Sequence, residues 1–130
     1  MIARELINEY GRALQRLKEA LRAPARDDVQ RAGCIQYFEF CFELAWKSIN
    51  AVLQDAGIDD CASPRASVKA AFAQGMIDDE GMWLAMLKAR NRMAHTYDVE
   101  EALAIYAALR EFFPVMKALL ARLREEAGEE

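Results

Sequence analysis

The chain has 130 residues, the usual size of one domain, and a domain of this length buries roughly two-thirds of the surface that its unfolded chain exposes. Hydrophobic residues make up 54% of it, with six glycines and three prolines, which favours long helices and excludes general disorder. The net charge of -4 argues against a broad basic surface that coats nucleic acid, but it leaves room for a local basic cleft. We therefore expect one all-α domain over residues 1–130.

The sequence shows no sign of a membrane span or of a secretion signal. Glu39, Glu43 and Lys47 interrupt the most apolar segment, so no stretch of about 18 uncharged apolar residues exists. Arg4 and Glu5 stand where a signal peptide would need an apolar run. We expect a cytoplasmic protein.

Metal and cofactor sites are not expected either. The three cysteines cannot all pair with one another, and Cys34 and Cys41 lack the CxxC spacing, which is typical of reduced thiols in a core. With a single histidine, a zinc site would need carboxylates or thiols in an unrecognisable spacing.

The first two helices follow from apolar spacing and end signals. The first is predicted over residues 2–21. The second is predicted from a cap at Asp27 or Asp28 to about residue 55, where Gly57 would stop it. Apolar residues between positions 34 and 46 occupy nearly every angle of this helix. It is therefore either the central core helix or one that also meets a partner subunit.

Three more helices complete the predicted fold. Ser63 and Pro64 would open a short helix that ends before Gly75. A fourth should begin in the acidic cluster at residues 78–80 and end near Ala94. Asp98, three residues before a glutamate at position 101, predicts the start of a fifth helix. The expected architecture is an up-and-down helical bundle of four main helices and one short helix.

The run RNRMAHTY at residues 90–97 is the distinctive chemical feature of the sequence. The guanidinium of Arg90 offers a planar fork of donors suited to phosphate, and His95 suits proton transfer near neutral pH. Lys88 and Arg92 add positive charge nearby. An uninterrupted helix would separate Arg90 and His95 by about 140°, but an exit turn near Ala94 would bring His95 back over the last helical turn.

These residues fit metal-independent cleavage of RNA. A base removes the proton of a ribose 2′-hydroxyl, the oxygen attacks the adjacent phosphorus, and an acid protonates the leaving 5′-oxygen, while Arg90 holds the phosphate. The scheme needs two proton-transfer groups, yet His95 is the only histidine. A twofold homodimer would supply a second copy in a shared cleft.

Arg90, four intervening residues, His95, one residue and Tyr97, with Asn91 after the arginine, resemble the signature of the HEPN superfamily. More narrowly, the sequence resembles the toxin partners of minimal nucleotidyltransferase/HEPN pairs, also called nucleotidyltransferase substrate-binding proteins. The five predicted helices, with the motif between the fourth and the fifth, make this resemblance compatible with the whole length of the chain.

The resemblance implies a dimeric, HEPN-like helical bundle that acts as a metal-independent endoribonuclease, the toxin of a type VII-like toxin-antitoxin pair. Arg90 and His95 would be catalytic and Asn91 supporting. A partner nucleotidyltransferase would neutralise the toxin by AMPylation of Tyr97, because an anionic nucleotide beside Arg90 and His95 would fill the phosphate site and repel RNA.

Two other hypotheses use the same residues. In one, the bundle is a non-catalytic subunit that docks the nucleotidyltransferase and presents a substrate or its own Tyr97. In the other, the bundle is purely structural, Arg90 pairs with a carboxylate, and His95 is buried or faces away from it.

Overall fold

The helices of the protein lie in the order that the sequence predicts. A computed structural model describes residues 2–59, 61–95 and 98–128, with the side chains of residues 94 and 95 outside the described set. Within these ranges the chain forms helices and no β-strand. The predicted all-α bundle of four main helices and one short helix is confirmed. The helices are α1 (Ile2–Ala20), α2 (Asp28–Asp55), α3 (Pro64–Ala73), α4 (Glu80–His95) and α5 (Val99–Glu126).

Side-chain caps begin four of the helices where the sequence predicts them, and in α4 the cap is Asp79, whose Oδ1 accepts from the backbone N–H of residue 82 at 2.9 Å. Asp27 Oδ1 accepts a hydrogen bond from the backbone N–H of residue 30 at 2.8 Å, and Ser63 Oγ accepts one from residue 66 at 3.1 Å. Asp98 Oδ1 does the same for residue 101 at 3.1 Å. Each cap satisfies a donor that the first turn of a helix leaves without a partner.

Glycines in the left-handed region end α2 and α3, as predicted. Gly57 has φ +86° and Gly75 has φ +75°. After α2, the N–H of Ile58 donates to the carbonyl of Leu53 at 2.9 Å, which is the 6→1 bond of a Schellman motif. A side chain at Gly57 would strain this turn, because L residues rarely adopt a positive φ.

Helix α2 is the central element of the bundle and packs against every other helix. The Phe38 ring stacks on Phe112 of α5 with centroids 5.4 Å apart, and Phe42 lies 6.2 Å from the indole of Trp83 on α4. The interpretation of α2 as a core helix is therefore confirmed. One of its large apolar residues, Phe40, is nevertheless 50% exposed.

A buried hydrogen bond joins α1 to α5, and all three cysteines lie in the core. The fully buried Tyr10 hydroxyl donates to the carbonyl of Met116 at 2.7 Å. Cys34, Cys41 and Cys61 are all buried, which confirms their expected role as small core residues. Burial raises the pKa of the Cys41 thiol to about 12. None of the helices in the described part of the chain has the length and apolar character that crossing a membrane requires.

Candidate functional site

Helix α4 carries the first part of the predicted motif and extends one residue further than predicted. The sequence placed its end near Ala94, whereas the observed helix includes His95. Helix ends commonly differ by a residue from the position that end signals indicate. The backbone positions of Arg90 and His95 therefore belong to one continuous helix, about 140° apart around its axis and roughly 7.5 Å apart along it.

The structure describes two of the four predicted site residues in full. Arg90 and Asn91 lie in the C-terminal half of α4 with their side chains described. The His95 side chain and the whole of Tyr97 lie outside the described residues. Whether the four residues meet in one site therefore stays a prediction.

Arg90 points from α4 towards α2 and forms an ion pair there. Its Nη2 donates to Oε2 of Glu43 at 2.8 Å, and the two side chains are 29% and 34% exposed. Its Nη1 donates to Oδ1 of Asn91 at 3.2 Å. These two bonds use two of the five guanidinium N–H donors, so the fork keeps donors for a further acceptor such as a phosphate oxygen.

Glu43 belongs to a row of charged residues on one face of α2. Glu39 lies one turn before Glu43, and Lys47 lies one turn after it, with its Nζ 3.7 Å from Glu43 Oε1. Burial raises the pKa of the Glu39 carboxyl, while the positive charge of Arg90 opposes that rise. Arg90 is thus held in a charged network that belongs to the middle of α2.

Sequence reasoning did not assign Glu39 and Glu43 to the site. A signal was present, because the charges at positions 39, 43 and 47 recur every four residues and interrupt the most apolar segment of the chain. Such spacing places them on one helix face. A charged stripe on a helix that is otherwise apolar all round indicates a partner charge on a neighbouring element.

The basic residues around Arg90 do not form one patch. Lys88 and Arg92 are exposed, lie four residues apart and share a face of α4 that Arg90 does not share. Arg92 Nη1 donates to Oε1 of Glu101 on α5 at 3.0 Å. The sequence cluster is therefore split between the α2 side and the outer side of α4.

The ion pair also bears on the purely structural hypothesis. That hypothesis predicts a carboxylate partner for Arg90, and this part of it is confirmed by Glu43. Its second part concerns the His95 side chain, which lies outside the described residues.

Comparison with known proteins identifies the family. A sequence profile described as nucleotidyltransferase substrate binding protein like matches residues 5–125. A protein of Haemophilus influenzae named "Probable ribonuclease HepT" is 37% identical over 102 residues, which are 75% of this chain and 70% of that protein.

Two solved structures are similar in both fold and sequence. A crystal structure of a Thermus thermophilus protein superposes with a TM-score of 0.82 at 33% identity, covering 88% of this chain and 98% of that one. HI0074 from Haemophilus influenzae, described as having the fold of a substrate binding domain of a nucleotidyltransferase, has a TM-score of 0.78 at 32% identity, covering 91% and 98%. The resemblance stated from the motif is thereby confirmed, and the chain belongs to the nucleotidyltransferase substrate binding protein-like family.

Proposed function

We propose that this chain is a metal-independent endoribonuclease, the toxin of a type VII-like toxin-antitoxin pair that acts in the cytoplasm. The observation that carries the proposal is the geometry of Arg90, which is fixed by Glu43 and Asn91, partly exposed, and left with free donors for a phosphate. The similarity to a protein named as a probable ribonuclease supports the same reaction.

In the proposed reaction Arg90 binds the scissile phosphate and His95 transfers protons. The ribose 2′-oxygen loses its proton, attacks phosphorus and displaces the 5′-oxygen, which takes up a proton. The products are a 2′,3′-cyclic phosphate and a 5′-hydroxyl end. Arg90 stabilises the charge that develops on the phosphate oxygens, and Asn91 supports its orientation.

We propose a homodimer as the active form, since the reaction needs both an acid and a base. An isologous interface would place two copies of His95 and Arg90 in one cleft. Phe40 supports this assembly, because its large aromatic side chain is 50% exposed in the middle of α2.

We also propose control by a cognate minimal nucleotidyltransferase that modifies Tyr97, two residues after His95, and the family of the chain supports this partner. The tyrosine oxygen would attack the α-phosphorus of ATP and release pyrophosphate, which leaves AMP on the phenol. The phosphate group of this AMP would compete with RNA for Arg90.

A second candidate function is a docking subunit that presents Tyr97 or another substrate to the nucleotidyltransferase without cutting RNA. The description of HI0074 as a nucleotidyltransferase substrate-binding domain favours it. The two functions separate on whether His95 and Arg90 are needed for a reaction on RNA.

The decisive experiment is RNA cleavage by the purified, unmodified chain in the presence of a metal chelator. Arg90→Ala and His95→Ala should each lower the cleavage rate at least about 100-fold, whereas Lys117→Ala on the exposed side of α5 should leave it unchanged. Circular dichroism establishes that each variant is folded. If a folded, unmodified wild-type protein cleaves none of a broad panel of RNAs, the docking function replaces the ribonuclease.

A further inference from the structure

A groove of about 520 Å³ lies between the start of α3 and the outer face of α4. Its polar lining consists of Arg65 from α3 and of Lys88, Asn91 and Arg92 from α4. The half-buried Leu84 is among its apolar lining residues.

The groove is basic in a chain that is acidic as a whole. Of the described residues that line it, three carry positive charge and none carries a carboxylate, although the chain has a net charge of -4. Such a concentration of one sign attracts a polyanion, and Arg92 is the one cation of the three whose carboxylate partner, Glu101, lies among the described residues.

The neighbouring groove on the other side of α4 provides a comparison within the same molecule. It has a volume of about 480 Å³ and shares Lys88 and Arg92, but Glu100 and Glu101 of α5 also line it. The two carboxylates there offset the charge of the two cations, and Glu101 forms an ion pair with Arg92. Of these two grooves, only the one next to α3 therefore has an excess of positive charge.

Asn91 connects this basic groove to the proposed active site. Its side chain lines the groove, and its Oδ1 also accepts a hydrogen bond from Arg90. Lys88 and Arg92 lie one turn apart, about 6 Å along the axis of α4, which suits contact with successive phosphates of one strand. Arg65 faces them from the opposite wall.

We propose that the groove binds the sugar-phosphate backbone of the RNA strand that flanks the phosphate at Arg90. This inference rests on the proposed ribonuclease function and adds a substrate-binding site to it. Cations supply affinity without reading bases, so the groove should bind strands of different sequence with similar affinity. The apolar lining at Leu84 gives riboses and base faces a surface to pack on.

The test is the binding of a fluorescent 2′-O-methyl oligoribonucleotide, which lacks the attacking hydroxyl and therefore cannot be cut. Fluorescence anisotropy gives its Kd at salt concentrations from about 50 to about 200 mM. Arg65→Ala and Lys88→Ala should each weaken binding about three- to tenfold and reduce the magnitude of the slope of log K against log salt by about 0.7. Arg65→Lys should keep both the affinity and the slope.

Lys69→Ala is the matched control, because Lys69 is an exposed cation on the same helix as Arg65 but does not line the groove. It should leave affinity and salt slope near the wild-type values. The inference is overturned if Lys69→Ala weakens binding as much as the groove variants do, if the groove variants bind like wild type, or if the wild-type protein does not bind at about 50 mM salt. It is also overturned if the groove variants lose binding to an acidic protein partner while keeping RNA binding.

The same proteins separate this inference from the ribonuclease proposal. Weakened binding by Arg65→Ala and Lys88→Ala, with no cleavage of natural RNA by the wild-type chain, would retain the groove and reject the ribonuclease. Cleavage by the wild-type chain, with normal binding by both variants, would retain the ribonuclease and reject the groove.

Discussion

Arg90 and Glu43 depend on each other for their orientation. Each side chain is about one-third exposed, so their 2.8 Å ion pair is partly shielded from water without being fully desolvated. An arginine fork that is held on one side keeps its other donors in a fixed direction, which lowers the entropy cost of aligning them with a phosphate. We therefore propose that Glu43 positions Arg90 for the phosphate.

Glu43→Gln is expected to separate RNA binding from cleavage. The amide oxygen keeps an acceptor for Arg90 but weakens its hold, so kcat should fall about tenfold. Removal of a negative charge beside the phosphate site should leave the Kd for a 2′-O-methyl oligonucleotide unchanged or lower it. Single-turnover cleavage and fluorescence anisotropy measure the two effects.

Glu101→Gln is the control for Glu43→Gln, since it removes the carboxylate from another arginine of α4, Arg92. Its kcat should match that of the wild type. A wild-type kcat for Glu43→Gln would contradict the positioning role.

The buried thiol of Cys41 makes the free energy of unfolding fall as the pH rises through the alkaline range. Its folded-state pKa is raised from about 9 to about 12, so the folded protein retains a proton that the unfolded chain releases. The stabilising contribution is complete below about pH 9 and is lost as the pH rises from about 9 to about 12, at up to about 1.4 kcal/mol per pH unit. Urea unfolding between about pH 8 and about pH 10 should show the onset of this loss.

Cys41→Ala should flatten that dependence, although the smaller side chain lowers stability below about pH 9, where the thiol is protonated in both states. Cys34→Ala should flatten it less, because the positive charge of Arg110 opposes the rise in the pKa of the Cys34 thiol. Equal slopes in the wild type and Cys41→Ala would be inconsistent with a thiol that stays protonated in the folded state.

At the level of the helices, Asp98 caps α5 and lies directly after the motif at residues 90–97. Helix α4 ends at His95 and α5 begins at Val99, so Asp98 sets the start of α5 immediately after the proposed site. Asp98→Ala should lower the free energy of unfolding by about 1 kcal/mol, because the amide of residue 101 loses its acceptor. It should also lower the cleavage rate, since the chain that carries the motif enters α5 through this cap.

Asp27→Ala is the matched variant, because the same kind of cap begins α2 at a site remote from the motif in sequence. It should cost a similar free energy of unfolding and leave cleavage unchanged. Urea denaturation and cleavage assays on both proteins test the distinction. An equal loss of cleavage in both variants would mean that lower stability alone explains the effect of Asp98→Ala.

The helices could be predicted from the sequence because their signals are local. The caps at Asp27, Ser63 and Asp98 act within three residues, and Gly57 ends α2 within one turn. The pairing of Arg90 with Glu43 was not predicted, because it joins residues 47 positions apart whose contact depends on how α4 packs on α2. Local signals carry no information on which carboxylate of a facing helix an arginine meets.

At the level of the whole molecule, the proposed dimer depends on the exposed part of α2. Analytical ultracentrifugation of the wild type should give about 29 kDa, twice the 14.7 kDa of one chain. Phe40→Glu should give the mass of a monomer, because a charge at the centre of an apolar contact would remain desolvated. The rate of RNA cleavage should decrease as the fraction of dimer decreases.

Phe72→Glu is the control for Phe40→Glu, since Phe72 is similarly exposed, at 46% against 50%, but lies on α3. It should remain dimeric and active. A dimeric Phe40→Glu protein would move the interface away from this part of α2, and an active wild-type monomer would reject the dimer as the catalytic form.

The packing of α2 on α4 also provides the molecule with its own optical probe. The chain has two tryptophans, Trp83 on α4, seven residues before Arg90, and Trp46 on α2, three residues after Glu43. Trp83 is almost fully buried against Phe42, and the indole N–H of Trp46 is buried without a hydrogen-bond partner among the described residues. Tryptophan fluorescence therefore comes from the two helices that hold the arginine, and a change in its wavelength or intensity would follow their separation without any added label.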